Sequence, residues 1–361
     1  MIFANRYFPP QKLLLFLDDL PEHFKTCVLG KSVLKSAIYG IEIGSGKQKV
    51  LIWSQMHGNE TTSSRAVCEL IKYFQYSDFI LKNLRLLIIP QLNPDGAASY
   101  SRLNANKLDI NRDAIKLSQP ESKLLNKVFD EFSPDYCFNM HDQRSVFSVG
   151  ENDKSAAISF LSPAIDNNQS ISKSRERSML LIAAINKKLQ REIPGNVGRY
   201  NDKYNGDCFG DSFSKKGVAT LLFEAGHFKN DYSREPSKTL IFNSLIHALH
   251  LIINKNFHDK SIEEYFQIPE NKERYVDVII ENTTVSDENL IFTNQQLAIQ
   301  YKEVLEKQKI LLRPTYHSYA KKLNLFSHSR INSFQESNLK KFVFKKNKNV
   351  DISFFSLNNL F

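Results

Sequence analysis

The chain has 361 residues, 42% of them hydrophobic and 24% charged, with 26 Phe and 14 Tyr, which are ordinary values for a globular protein with a substantial core. The formal net charge is +9, but Lys and Arg are spread along the chain and their densest run, Lys340 to Lys348, lies near the C-terminus. That excess reads as a solvated face or tail, not as a nucleic-acid surface, although a positive field helps to gather acidic substrates.

Leu34 to Ile43 reads as a strand, and Gly44-Ser45-Gly46 turns the chain into a short apolar strand, Lys49 to Ser54. Thr61 to Phe74 has helical apolar spacing at Ala66, Val67, Leu70, Ile71 and Phe74. Leu84 to Pro90 is a buried-type strand, and Asn93-Pro94-Asp95-Gly96 is a turn signal. Ser118 followed by Glu121 fits a capping box that opens a helix through Phe132. Asp135 to Met140 is another short strand, Arg175 to Arg191 an amphipathic helix, Ala219 to Glu224 a strand and Ser237 to Asn254 a long helix. Strands that alternate with helices predict an α/β fold: a mixed, mostly parallel twisted sheet with helices on both faces. Beyond about residue 260 the character changes, with strands expected at Arg274 to Glu281, Lys309 to Pro314 and Phe342 to Lys345. The expected division is a catalytic domain over 1–258 and a smaller β-rich region over 259–361.

Cys27, Cys68, Cys137 and Cys208 form no CxxC pair and read as free, buried thiols. The N-terminal segment lacks a basic region followed by an apolar run and a cleavage site, and no stretch reaches the roughly 20 apolar residues of a membrane span. The expectation is a soluble, cytoplasmic protein with neither a nucleic-acid nor a membrane partner.

Four of the expected strands end at chemically loaded residues: His57-Gly58-Asn59-Glu60, Asn93-Pro94-Asp95-Gly96, His141 and Glu224. In open α/β sheets ligands bind beyond the carboxyl ends of the strands. His57 and Glu60, three apart where a strand passes into a helix, can turn toward one ion, and His141 from a second strand completes a His-Glu-His set suited to one catalytic zinc. An HxxE pair alone occurs often by chance. Glu224 ends an otherwise apolar strand, where an unpaired carboxylate is costly without a function.

The wider pattern resembles the zinc metallocarboxypeptidase superfamily, which includes murein-peptide amidases and the aspartoacylase and succinylglutamate desuccinylase deacylases. The shared features are HGNE at 57–60, NPDG at 93–96, R-x-N-A at 102–105, D-x-N-R at 109–112, a strand-borne His at 141 and E-x-G at 224–226, over about residues 35–255. The resemblance implies that His57, Glu60 and His141 hold one zinc ion. It implies that Asp109 orients a ligand imidazole, and that Asn111 and Arg112 clamp a substrate carboxylate, for which an Arg fork is better shaped than Lys. It further implies that Arg102 polarises the scissile carbonyl and that Glu224 takes a proton from the attacking water. A tyrosine upstream of the base is expected in the pocket, with Tyr204 preferred over Tyr200; Asp207 and Asp211 would then face a cationic substrate group, unless both merely cap turns. Asp113, directly after the clamp, departs from the family pattern and would weaken carboxylate affinity or reshape specificity, and Asp142-Gln143 after His141 departs as well. Of the remaining histidines, His247 and His250 are expected to serve helix packing or to lie at the surface, and His227 to adjoin the base. Cys208 is not expected to act as a nucleophile.

The implied activity is hydrolysis of an amide bond next to a free carboxylate on a small peptide. An alternative is an N-acyl-amino-acid deacylase, and a remote one a non-catalytic binding protein. Partners are then a small peptide or an acylated amino acid.

Overall fold

The computed structural model describes residues 6–228, 231–288, 290–335 and 343–345. The basic run Lys340 to Lys348 lies outside the described residues except for 343–345. In chain order the first part comprises α1 (Pro10–Asp18), β1 (Lys25–Lys31), β2 (Ala37–Ile43), β3 (Gln48–Ser54), α2 (Thr62–Tyr73), α3 (Asp78–Asn83), β4 (Leu84–Ile89), α4 (Pro94–Ser99), α5 (Pro120–Phe132) and β5 (Tyr136–Asp142). It continues with β6 (Phe147–Val149), β7 (Ile158–Leu161), α6 (Lys173–Glu192), β8 (Val197–Arg199), α7 (Phe209–Lys215), β9 (Ala219–Ala225), α8 (Glu235–Asn254) and α9 (Ile262–Phe266).

Eight of these strands form one sheet in the order β1-β2-β4-β3-β5-β9-β7-β8. The central pairings β4/β3, β3/β5 and β5/β9 are parallel, while β1/β2, β2/β4 and β9/β7 are antiparallel. The sheet is therefore mixed, with its continuous parallel run at the centre and a further parallel pair, β7/β8, at one edge. Alternation along each strand feeds two cores. Val50 and Ile52 of β3 and Phe138 and Met140 of β5 pack with α1, α2, α6 and α8. Leu51, Trp53 and Cys137 point the other way, against α5 and α7. Burial on both faces explains why β3 and β4 are continuous apolar runs, not alternating ones.

Two local expectations change. The Asn93-Pro94-Asp95-Gly96 turn is the start of α4: Asn93 is its N-cap and accepts a hydrogen bond from Gly96 N at 2.9 Å. The Ser118/Glu121 capping box does not form. Gln119 occupies the N-cap of α5, and Glu121 instead accepts from Val33 N at 3.1 Å.

The C-terminal part is β-rich, with β10 (Asn271–Glu273), β11 (Tyr275–Asp287), β12 (Leu290–Glu306), β13 (Lys309–Ala320), β14 (Phe326–Asn332) and β15 (Val343–Lys345). Its main sheet runs β13-β12-β11-β14, and β15 pairs with β11. Strand β13 continues through Pro314 because it is an edge strand, where proline is tolerated. The main core runs on past residue 258, since Tyr265 and Ile268 are buried in the cluster formed by the first part. Cys68 and Cys137 are buried and Cys208 half-buried, but Cys27 is exposed on edge strand β1; all four are free. Among the described residues no helix is long and apolar enough to cross a membrane.

Candidate metal centre and cleft

The carboxyl ends of β3, β5 and β9 open into a cleft of about 500 Å³ lined by His57, Glu60, His141 and Glu224. The turn after β3 is shaped by close backbone approach. A Cβ on Gly58 would fall 1.9 Å from the carbonyl carbon of Gly96, so the HGNE and NPDG segments touch main chain to main chain. This contact holds His57 and Glu60 over the sheet. His141 and Glu224 sit side by side because they are paired in register on the parallel strands β5 and β9, so their side chains share a face. Asp142, next along β5, accepts hydrogen bonds from Thr62 N at 2.6 Å and Ser63 N at 2.8 Å. A carboxylate there satisfies orphan donors of α2 and complements its positive end.

The donor set fits a divalent cation. His57 Nδ1 lies 2.8 Å from Glu60 Oε1, His141 Nδ1 lies 2.8 Å from Glu60 Oε2, and the two Nδ1 atoms are 3.2 Å apart. All three residues are buried, and one ligand atom from each lies within 4.8 Å of the others. Two ring nitrogens and a carboxylate facing one point are a zinc-type set, and buried charge of this kind is costly unless paired or metal-bound. His57 Nε2 lies 3.0 Å from Asp109 Oδ1, which places the ring proton on Nε2 and leaves Nδ1 as the ligand. Burial lowers the pKa of His57, but Glu60 and Asp109 outweigh it and the net shift is upward. At His141 burial prevails and the pKa falls.

Arg102 joins this group through Nε to Asp109 Oδ2 at 3.1 Å and Nη1 to Glu60 Oε1 at 3.2 Å. Asn111 is buried and accepts from Phe209 N at 3.1 Å. Arg112 is exposed, with Nη1 at 2.7 Å from the Asn111 carbonyl and 3.1 Å from Cys208 Sγ, and it has no carboxylate partner among the described residues. Cys208 is held as a thiol, its pKa pushed up to about 11 chiefly by burial.

The Glu224 carboxyl group makes no hydrogen bond to a described residue and borders the cleft. Burial, then the charges of Glu60 and Asp142, push its pKa well above the usual carboxylate range, while Arg102 and Arg234 oppose them. A cation held by His57, Glu60 and His141 counters this shift, because a +2 charge favours the carboxylate. A carboxyl group poised in this way is suited to moving protons near neutrality.

Several sequence expectations change at this level. Tyr200, not Tyr204, lines the cleft, and burial raises its pKa well above the ordinary value, with Glu224 and Glu60 adding to the shift. Tyr204 lies under Lys215, whose Nζ is 5.7 Å from the ring centre. Asp211 borders the cleft with its pKa raised to about 6 by burial, and Asp207 does not border it. Asp113 does not face substrate: it is buried and accepts from Ser118 N at 3.0 Å and Gln119 N at 2.8 Å. His227 does not adjoin the base but packs on His328, with ring centres 4.1 Å apart. His250 stacks on Phe79, as expected of a helix-packing residue. Sequence reasoning missed Arg6, Tyr100, Arg144, Arg234 and Glu303, which all line the cleft. None of them lies in a motif, and Glu303 comes from β12, more than 70 residues beyond the base.

Residues 13–178 match the family model described as zinc carboxypeptidase, a match that ends before Glu224. A probable carboxypeptidase 2 of Trichophyton verrucosum is 30% identical over 101 residues, which are 26% of this chain and 20% of that protein. Carboxypeptidase D of Mus musculus is 24% identical over 215 residues, 49% of this chain and 16% of that protein. The match thus spans a fifth or less of the length of these curated relatives. A crystallised metallo-carboxypeptidase from Burkholderia cenocepacia superposes with a TM-score of 0.54 at 16% identity, covering 70% of this chain and 71% of the other. That likeness shows a shared fold. Over residues 13–178 the chain is similar to the zinc carboxypeptidase family, the curated relatives it matches are named carboxypeptidases, and its fold is shared with a solved metallo-carboxypeptidase.

Proposed function

We propose that the protein is a zinc-dependent hydrolase that cleaves an amide bond next to a free carboxylate, acting on a small peptide as a carboxypeptidase or peptide amidase. The observation that carries this reading is the convergence of His57, Glu60 and His141 beside Glu224, with an exposed Arg112 that has no carboxylate partner in the same cleft. His57, Glu60 and His141 would hold one zinc ion. When bound, the ion supplies Lewis-acid chemistry, polarising a carbonyl and acidifying water.

The chain's own residues supply the rest. Arg112, with Asn111 beside it, binds the substrate carboxylate and so fixes the scissile amide over Glu60 and His141. Arg102, 45% exposed at its side chain, offers its guanidinium to the carbonyl oxygen as negative charge develops there. Glu224, free of protein partners, accepts a proton from the attacking water and returns it to the leaving amine. Tyr200 helps to close the cleft around the reacting groups.

A second reading, an N-acyl-amino-acid deacylase, is favoured by one observation. Glu303 of the C-terminal sheet borders the cleft, and a cleft walled by a second sheet suits a short acyl group. Turnover of N-acetyl- and N-succinyl-amino acids but not of peptides would select it.

The test is hydrolysis of a panel of peptides and acylated amino acids by the zinc-loaded protein. Glu224→Gln is expected to lower kcat by about 10²–10⁴-fold with zinc content unchanged. A Glu224→Gln protein that hydrolyses as fast as wild type would overturn the assignment.

A further inference from the structure

The cleft holds a second cationic end, away from Arg112. Arg234 is buried at 5% exposure and lines the cleft as well as a smaller cavity beneath the C-terminal sheet. Its Nε donates to Thr62 Oγ1 at 3.2 Å, and its Nη2 donates to the carbonyls of Gln143 at 3.1 Å and Ala225 at 2.8 Å. All three partners are neutral. Nη1 has no partner among the described residues and is not sealed from the cavity. Arg234 is thus a buried guanidinium with no carboxylate in ion-pair contact, an arrangement that is costly unless an anion completes it.

Two of the acidic groups near this end are already committed. Asp142 accepts from the first amides of α2. Glu303 is paired with Arg6 and accepts from Tyr100 Oη at 2.6 Å. Arg144, exposed at the rim of both cavities, has no ion pair among the described residues. Neither guanidinium has a carboxylate in ion-pair contact among the described residues, and Arg234 meets the charges of Glu224 and Glu303 only at longer range. The backbone of Arg234 is also strained: at the N-cap of α8 it adopts φ +63°, a left-handed conformation uncommon for a residue with a side chain. Such strain persists where the surroundings demand one placement, and functional sites are where it collects.

Arg112 stands beside Cys208 at the start of α7, whereas Arg234 stands beside Thr62 and Gln143. All of these groups line one cleft together with His57, Glu60, His141 and Glu224. We propose that Arg234, assisted by Arg144, is a second carboxylate-binding point, so that the substrate carries an acidic group on the acyl side of the scissile amide as well as a carboxylate on the amine side. This deepens the hydrolase reading above and rests on it. A planar guanidinium edge matches a carboxylate better than a point charge does, and a site built for that group discriminates strongly against an uncharged isostere.

The test compares succinate with butyrate, the same-length acid whose far end is a methyl group, by calorimetric titration of the zinc-loaded protein. Both carry one carboxylate for the metal, and only succinate has a second for Arg234. Succinate is expected to bind at least about tenfold more tightly. That preference should fall below about threefold in Arg234→Gln and stay intermediate in Arg234→Lys. Equal affinity of the wild-type protein for the two acids, or an undiminished preference in Arg234→Gln, overturns the proposal. Arg234 also ties backbone together, so Arg144→Gln, at an exposed position, decides the matter if Arg234→Gln does not fold: a several-fold smaller preference supports the proposal and an unchanged one overturns it. A succinate preference that depends on these arginines without cleavage of any amide would count against the hydrolase reading and leave this subsite standing.

Discussion

Asp109 decides which nitrogen of His57 faces a metal. It lies 3.0 Å from Nε2 and also accepts from Asn111 N at 2.9 Å, so one carboxylate sets both a ligand ring and the start of the clamp. Asp109→Asn removes the charge and frees the tautomer. Zinc affinity should drop by about 10–100-fold, read by competition with a chelator of known affinity. An affinity within twofold of wild type would mean that His57 is oriented by something else. The metal-type residues were legible in sequence because strands fix them: His141 and Glu224 end apolar runs, and the pleat leaves each a single face to point to. Tyr200 and Tyr204 lie instead in an irregular segment ahead of α7, where no periodicity says which ring turns inward. Arg234 left no trace, since its left-handed φ and its bonds to carbonyls from two other segments exist only in the folded chain.

At the scale of elements, the segment between the clamp and α5 is organised by Asp113. Its carboxylate accepts from Ser118 N, Gln119 N and, at 2.8 Å, Ser118 Oγ. Burial raises its pKa, but these hydrogen bonds outweigh burial and the net shift is downward. Asp113→Ala strands buried donors, which costs about 1–3 kcal/mol. Urea unfolding should show a lower midpoint with an unchanged slope. A loss below about 0.5 kcal/mol would show that water replaces the carboxylate there. The false capping box has the same origin. Ser118 and Glu121 have the right types and spacing, but Asp113 claims Ser118, and Val33 of the β1–β2 connection claims Glu121. Central strands were easy to read because burial on both faces makes them uniformly apolar. Strand β1 was missed because five of its seven residues are exposed at a sheet edge, with no apolar stripe. Strand β12 was missed because Asn294, Gln295 and Gln296 interrupt its apolar run.

At the scale of the whole molecule, the C-terminal sheet is tied to the catalytic-type part by groups that titrate. Glu303 is paired with Arg6 and bonded to Tyr100; burial opposes its charge, but Arg6 and Tyr100 prevail and its pKa falls from 4.5 to about 2. Its contribution to docking is complete above about pH 4.5 and is lost as pH falls toward 2. His328, whose Nε2 lies 2.7 Å from the Ser145 carbonyl, is lowered from 6.5 to about 4, mainly by burial. A depressed histidine favours the folded state in its neutral form, so its contribution is complete above about pH 6.5 and is lost as pH falls through 4. His227, against which it packs, shifts in the same direction. Asp277 opposes them: burial raises its pKa from 3.8 to about 6, so it gains stability as pH falls through that window. Acidification should therefore loosen the C-terminal sheet in two stages, a shallow one between about 6.5 and 4, where Asp277 offsets the histidines, and a steeper one below about 4.5, where Glu303 acts. Hydrogen exchange of β11 and β12 across a pH series reads this directly, with the central strands β3 and β5 as internal reference. Glu303→Gln should flatten the lower stage, and Asp277→Asn should steepen the upper one. If exchange in β11 and β12 only follows β3 and β5 at every pH, the two parts open as one unit and these groups set global stability instead. A lower stage that persists in Glu303→Gln would assign it to other carboxylates.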